Sequence, residues 1–417
     1  MSRLIRPREG CLLNVLVINS GSSSVKYELF AMGADAEHSM LNGEVERIGS
    51  PEASLWQEVR TEDGATYRDC RDVRASDHSE ALDCVLEALD GAADATGAGP
   101  LQAVGHRVVH GGERFADPVV LDGDAIAAIE RLALLAPLHT GANLAGIEAA
   151  RIHLPDVPHV AVFDTAFHRT MPAHACVYAL PRELCREHGI RRYGFHGTSH
   201  AYVAKRAAAF LGRPLEELAL ITLHLGAGAS ATAIRGGESV DTSMGMTPLE
   251  GLMMGTRCGD VDPAVPMLLA RLTGRSREDV HRLLNNESGL LGVCGAGDMR
   301  EVHRLAEEGD ADAALALEMF CYRVKKYVGA YVAALGGADA IVFTAGIGEN
   351  DAEVRSRVCG GLDVLGIEID EARNRAKVGG ERRISSDASR VAVLVIPTDE
   401  ELEIARRTVE CVNASSP

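Results

Sequence analysis

The sequence predicts a two-domain α/β protein, and three observations carry that prediction. Strand-like and helix-like stretches alternate along the chain, the pattern of layered α/β folds. One local plan occurs twice: VLVIN (15–19), the loop SGSSS and VKYELF are echoed by LALITLHL (218–225), GAGAS and ATAIR. Each is strand, small-residue loop, strand, which reads as a loose internal duplication. Finally, 417 residues exceed one ordinary core, and two domains of about 150–250 residues each are the natural division.

The remaining elements follow from periodicity. Apolar residues three and four apart predict helices over 124–136, 199–211, 277–285 and 311–335. Short apolar runs predict strands at 159–163, 340–345 and 390–396. No Pro/Ser-rich linker interrupts the chain. The domains are therefore expected to meet through ordinary loops, with the last helix returning to the first domain and a ligand cleft between them.

Composition removes several function classes. The net charge of −18 argues against a nucleic-acid binder, which would carry a basic face. Any anionic substrate must then be captured by a few placed Arg and Lys residues. Ten cysteines without a CxxC pair read as reduced thiols of a cytoplasmic protein. No stretch approaches about 20 uninterrupted apolar residues, so no membrane span is expected; 329–348 comes closest but carries Asp339. Residues 1–12 mix arginines with Glu9 and lack an apolar core, unlike a secretory signal. They read as a disordered leader.

Several segments could carry chemistry. The loop 19–24 sets an amide, a glycine and hydroxyls between two strands, with Lys26 just beyond, offering donors to phosphate or to Mg²⁺-bound water. A plain hairpin turn uses the same residues, and GxxxxGK[ST] is absent. GAGASA at 226–231 fits a loose dinucleotide fingerprint, yet a strand and not a helix is expected after it. GIGEN at 346–350 stands between a strand and a helix-like run, where glycines would admit a nucleotide to backbone N–H groups, or form an empty βα turn. Asp164 ends a strand, the usual place of active groups in open α/β sheets, or caps the next segment. Asp399, Glu400 and Glu401 are dipole complements of a helix start, or include a Mg²⁺ ligand. Arg107, held between valines in GHRVVHGG, needs an anionic partner, whether a protein carboxylate or a ligand. RRYGFHGTSH packs two histidines among rings and glycines, GTRCGDVDP adds Arg257 in a glycine-bounded loop, and no HExxH occurs.

Taken together these segments resemble acetate kinases, of the acetate and sugar kinase, Hsp70 and actin superfamily. The resemblance runs from Leu13 to Arg407 and rests on VLVINSGSSSVKYELF, GHRVVHGGERF, APLHTGAN, VAVFDTAFHRTMP, YGFHGTSH, TSMGMTPLEGLMMGTRCGDVDP, SGLLG, FTAGIGEN and VIPTDEE. It implies a two-domain actin-like ATPase fold, a duplicated ribonuclease-H-like unit with the active site in the interdomain cleft. Domains are expected at 13–165 plus 386–417 and at 166–385. It implies reversible transfer of the ATP γ-phosphoryl to acetate, with Mg²⁺ (or Mn²⁺) as cofactor, in a cytoplasmic homodimer. Asn19 and Glu400 would organise the metal, while Ser22, Ser24 and Lys26 would line the phosphate path. Arg107 and Arg257 would hold the acetate carboxylate and the phosphoryl group. His196 would donate to that phosphoryl with His139 nearby, and Asp164 would be the essential acid. His224, Leu225, Gly226, Ala227 and Gly228, with Asp298, Met299, Arg300, Gly346, Ile347, Gly348, Glu349 and Asn350, would wrap ATP or ADP. Val109, Leu138, Phe195 and Pro248 would form the methyl pocket.

The chain departs from the family pattern at Ala227, where HLGNG would place asparagine, and at Asp399 in PTDEE, where PTNEE would. The leader before Leu13 has no family counterpart. Two rival readings are a propionate or short-chain acyl kinase of the same fold, and an actin- or Hsp70-like ATP binder without acyl chemistry. The second has no need of Arg107, Arg257 and FHGTSH.

Overall fold

The computed structural model describes residues 12–33, 36–134 and 137–415, without the side chains of 134 and 137–139. Apart from Leu12, the leader lies outside the described residues. The chain forms two compact units: one runs to Ala166 and resumes at Asp399, the other is Phe167–Thr398. The return therefore falls at 399 and not at 386. The reason is the last strand of the second unit, whose Ala392 to Val395 pair in parallel with Ala340 to Phe343 and hold the chain there.

The first unit is built on β1 (Leu13–Ser20), β2 (Ser24–Met32), β3 (Glu37–Glu46), β4 (Ser54–Arg60), β5 (Thr66–Asp72), β6 (Ala103–Val108), β7 (Val119–Val120) and β8 (His159–Phe163). Their order is β5-β4-β3-β2-β1-β6-β8-β7. β1, β6 and β8 run parallel, and β1 to β5 form an antiparallel meander. The centre of β1, Val15 to Ile18, is an unbroken apolar run because both of its faces are covered. Leu16 and Ile18 join a core with Ala81, Leu82 and Val85 of the helix His78–Thr96 and with Ala149 and Ala150. Val15 and Val17 face the other way, toward Ile404 and Ala405 of the C-terminal helix Glu400–Ala414. The helix Pro137–His153 comes so close to the end of β1 that a Cβ at Gly146 would strike Ser20.

The second unit repeats the plan. β9 (Ala219–Leu225), β10 (Ala229–Arg235), β11 (Glu238–Thr242), β12 (Ala340–Thr344), β13 (Arg382–Arg383) and β14 (Ala392–Val395) lie in the order β11-β10-β9-β12-β14-β13. The run β3-β2-β1-β6-β8 and the run β11-β10-β9-β12-β14 share order and strand sense. The duplication read from two loops extends to both sheets, and the fold is the duplicated actin-like α/β architecture.

Two local expectations need correction. The helix placed at 124–136 spans Gly123–Arg131, capped by the Asp122 carboxylate, and tightens into a 3₁₀ turn at Leu132–Leu134. GIGEN is not a loop ahead of a helix: Ala345–Asn350 is itself a short helix, followed after Asp351 by the helix Ala352–Cys359. No described helix is long and apolar enough to cross a membrane.

Candidate active site

In the first unit the carboxyl ends of the three parallel strands bring together residues far apart in sequence. Asn19 stands at the end of β1, Arg107 near the end of β6, and Asp164 directly after β8. Asp164 is 1% exposed. It does not cap a helix; it accepts two bonds from Arg107, Nε to Oδ1 at 3.1 Å and Nη2 to Oδ2 at 2.6 Å. Arg107 Nη1 donates to Asn19 Oδ1 at 3.3 Å, and Glu400 Oε2 lies 3.8 Å from Arg107 Nε. The anionic partner that Arg107 needs is thus a protein carboxylate. Burial opposes its charge, but Asp164 and then Glu400 outweigh this and raise its pKa above the ordinary arginine value.

The acids at the helix start divide their work. Asp399 is the cap, accepting from the Leu402 N–H at 2.8 Å. Glu400 faces Arg107, and its carboxyl is pushed up to about 7, by burial first; Asp164 and Glu401 add to the rise while Arg107 and Lys26 oppose it. Glu28, Asp399 and Glu401 gather their carboxylates within 4.8 Å of one another, and burial lifts Glu28 to about 8. Lys26 lies opposite Asn19 in the β1–β2 register. Ser22 and Ser24 sit in the turn closed by the Gly21 N–H on the Ser24 carbonyl at 2.8 Å. Val109 is half-buried after β6. Leu138 and His139 begin the helix Pro137–His153, and their side chains lie outside the described residues.

In the second unit a cavity of about 910 Å³ is lined by Gly226, Ala227, Gly228, Arg257, Asp298, Met299, Arg300, Gly346, Ile347 and Asn350, with Gly255, Thr256, Gly297, His303 and Asp351. The β9–β10 turn forms one wall, and the short helix Ala345–Asn350 another. Ala345 holds φ at +64°, a conformation that a residue with a Cβ keeps only where its surroundings enforce it. Asp298 caps the helix Met299–Glu307, and the Arg300 side chain folds back on it, holding its carboxyl down to about 2.

At the inner wall, a Cβ built on Gly228 would stand 3.5 Å from His196 Nε2 and 3.7 Å from Arg257 Nη1. Arg257 Nη1 donates to the Pro248 carbonyl at 2.9 Å, and among the described residues Arg257 makes no ion pair with a carboxylate. Burial alone pulls its pKa below the usual arginine range. His196 precedes the helix Gly197–Leu211 at φ +56°. Its Nδ1 lies 2.8 Å from Ser230 Oγ, and its ring stacks on His224 with centroids 4.2 Å apart. Phe195, beside it, is 2% exposed.

Comparison with known proteins gives this geometry its context. The acetokinase family profile matches residues 14–406. The chain belongs to the acetokinase family. It is a phosphotransferase whose acceptor is a carboxyl group. The acetate kinase of Syntrophobacter fumaroxidans is 54% identical over 402 residues, covering 96% of this chain and 97% of that one. The crystal structure of Porphyromonas gingivalis acetate kinase aligns with TM-score 0.87 at 44% identity, over 96% of this chain and all of that one. A propionate kinase from Francisella tularensis aligns with TM-score 0.88 at 40% identity, over 95% and 99%.

Against the residues that the acetokinase resemblance names, the cavity gathers nine of the nucleotide set and leaves out others. Leu225 is fully buried in the core and His224 is 9% exposed, stacked on His196. Gly348 is buried against β12, and the Glu349 carboxylate accepts from the Thr398 N–H at 3.3 Å. These four shape the walls from behind. Sequence reading passed over Asn143, which is buried and ties the ends of two strands: it accepts from the Val109 N–H at 3.1 Å and donates to the Ser20 carbonyl at 2.9 Å. Its only signal was its place in APLHTGAN.

Proposed function

We propose that the chain transfers the γ-phosphoryl of ATP to acetate, reversibly and by direct in-line displacement. The observation that carries this is Arg257. It is a largely buried guanidinium with no carboxylate partner among the described residues, set beside His196 and a glycine at the inner wall of a nucleotide-sized cavity. Such a charge is a standing site for an anion.

Acetate is already ionised near pH 7, so no base has to create the nucleophile. The barrier is the approach of two anions, lowered by donors aimed at the equatorial oxygens of the phosphoryl in flight. Arg257 and His196 supply such donors in the second unit, and Arg107 supplies a fixed cation in the first. Asp164 accepts from Nε and Nη2 of Arg107, and so orients it. Asn19 and Glu400 would hold Mg²⁺, which when bound neutralises phosphate charge. The donor set suits it, with two hard oxygens, and burial is the first cause that raises the Glu400 carboxyl.

Val109, Leu138, Phe195 and Pro248 make the methyl pocket in this reading, and branched Val109 favours the smaller acid. One methylene is worth about 1–3 kcal/mol in such a pocket. The enzyme acts in the cytoplasm as a pair of identical chains. The exposed Met267, Leu268 and Leu272 on the helix Ala264–Thr273 support that pairing. The test is hydroxamate trapping of the acyl phosphate with ATP, Mg²⁺ and acetate, propionate or butyrate. The highest kcat/KM on acetate is expected. A maximum on propionate replaces the substrate, and no product from any short acid overturns the reading.

A further inference from the structure

Behind His196 runs a line of buried polar side chains that the reaction as described does not use. Thr222 Oγ1 lies 2.7 Å from His200 Nδ1, His200 Nε2 lies 2.8 Å from Ser230 Oγ, and Ser230 Oγ lies 2.8 Å from His196 Nδ1. Thr222, His200 and Ser230 are all fully buried. They stand on β9, the helix Gly197–Leu211 and β10, so the chain of bonds is held by three rigid elements.

Proton counting gives this line a direction. A neutral imidazole carries one N–H and one lone pair, and a hydroxyl carries one hydrogen. Burial, with His168 and His224 nearby, holds His200 well below the usual histidine range, so it is neutral. Three arrangements then satisfy all three bonds, because a hydroxyl oxygen can accept twice. In one, Thr222 donates to His200 Nδ1, His200 Nε2–H donates to Ser230, and Ser230 donates to His196 Nδ1. In the second every hydrogen is reversed, and the Thr222 hydroxyl must send its hydrogen elsewhere; in the third His196 Nδ1–H also donates to Ser230, whose own hydrogen then finds no further acceptor among the described residues. Thr222 Oγ1 has no other hydrogen-bond partner among the described residues, and buried hydroxyls are rarely left without an acceptor. The first arrangement uses every hydrogen.

We infer that Thr222, His200 and Ser230 form a one-way relay that keeps His196 in its Nε2–H tautomer, with Nδ1 occupied as an acceptor. His196 then presents an N–H from the nitrogen beside Gly228 and Arg257. The same relay disfavours the imidazolium, because a proton on Nδ1 would confront the Ser230 hydrogen. Thr222, His200 and Ser230 are positioning residues. The inference rests on reading His196 as the hydrogen-bond donor to the transferring phosphoryl.

The experiment is long-range ¹H–¹⁵N correlation on the full-length enzyme labelled with ¹⁵N-histidine, His196 being assigned by its loss in His196→Gln. The wild type is expected to show a pyridine-like Nδ1 and a pyrrole-like Nε2 at His196. A protonated Nδ1 overturns the relay, and this measurement needs no variant of the relay to fold. Thr222→Val removes only the hydrogen bond to His200, yet it is expected to move the His196 signals toward a mixture of tautomers. The same change is expected to lower kcat by about 10- to 100-fold, as is typical when the outer partner of a working histidine is lost, with KM for ATP and acetate little changed. Ser230→Ala should do the same. His196 signals and kcat both unmoved in these variants would overturn the relay. Moved signals with unmoved kcat would support it and overturn the reading of His196 on which it rests.

Discussion

Replacing Asp164 by asparagine separates orientation from proton transfer. The carboxylate, 1% exposed, accepts two bonds from Arg107, and Asn keeps the shape while turning one acceptor into an NH₂ group. One Arg107 N–H would then face a donor. Losing one charge-assisted bond costs about 1.5–3 kcal/mol, and breaking a buried ion pair about 3–5 kcal/mol. Glu400, 3.8 Å from Arg107, remains as countercharge and keeps the expected loss near the low end, about 3 kcal/mol. A guanidinium free to turn is a poor transition-state donor, so kcat should fall about 10²- to 10³-fold. The chain has one tryptophan, Trp56 on β4 in the first unit. Its fluorescence during urea unfolding reports the stability of the unit that holds the pair, while hydroxamate formation at saturating Mg²⁺ and ATP reports kcat. An Asn variant with full kcat and an unchanged Trp56 midpoint would refute the assignment of Asp164 as the orienter of Arg107.

Three further outcomes follow from the same geometry. Ala227→Asn returns an amide to the cavity wall, and a single bond to phosphate of about 1.4 kcal/mol should lower KM for ATP about tenfold; an unchanged KM would mean that the wall needs no side chain there. Gly228→Ala sets a methyl at ordinary contact distance from His196 and Arg257, so the melting temperature should hold while kcat falls about 100-fold from displaced phosphoryl. His168 is buried between Ser239 and the Phe195 carbonyl, and burial depresses its pKa from 6.5 to about 4. The neutral form is the folded one, so this contribution is complete above about pH 6.5. It is lost as pH falls toward 4, by about 3 kcal/mol. Unfolding free energies of wild type and His168→Gln measured at pH 7 and 4.5 should converge at the lower pH, and a constant difference would contradict the assignment.

Sequence reading succeeded where one local force decided the outcome. β1 is legible because burial on both faces demands an apolar run, and Ala311–Leu335 because Asp310 caps its start and Gly336 turns its end. It failed at GIGEN, where two glycines argue against a helix. The turn is held by tertiary bonds, with buried Arg355 donating to the Gly348 and Glu349 carbonyls at 3.0 and 2.9 Å. Asn143 was invisible for a similar reason, since its two partners stand at the ends of β1 and β6, which only the folded first unit brings together. Arg107 shows an intermediate case. Its need for an anion followed from its apolar neighbours, but the choice of Asp164 followed from the parallel pairing of β6 and β8.

The return of the chain at Asp399 has a consequence for biosynthesis. Val15 and Val17 leave the ribosome nearly 400 residues before the residues that cover them, Ile404 and Ala405. The first half of the polypeptide therefore waits, with one side of its central strand uncovered, until the whole second half has been translated. Domains that fold in order of synthesis escape this delay. Here a message truncated before codon 399 yields a product lacking Glu400 and the helix that covers one face of the first sheet.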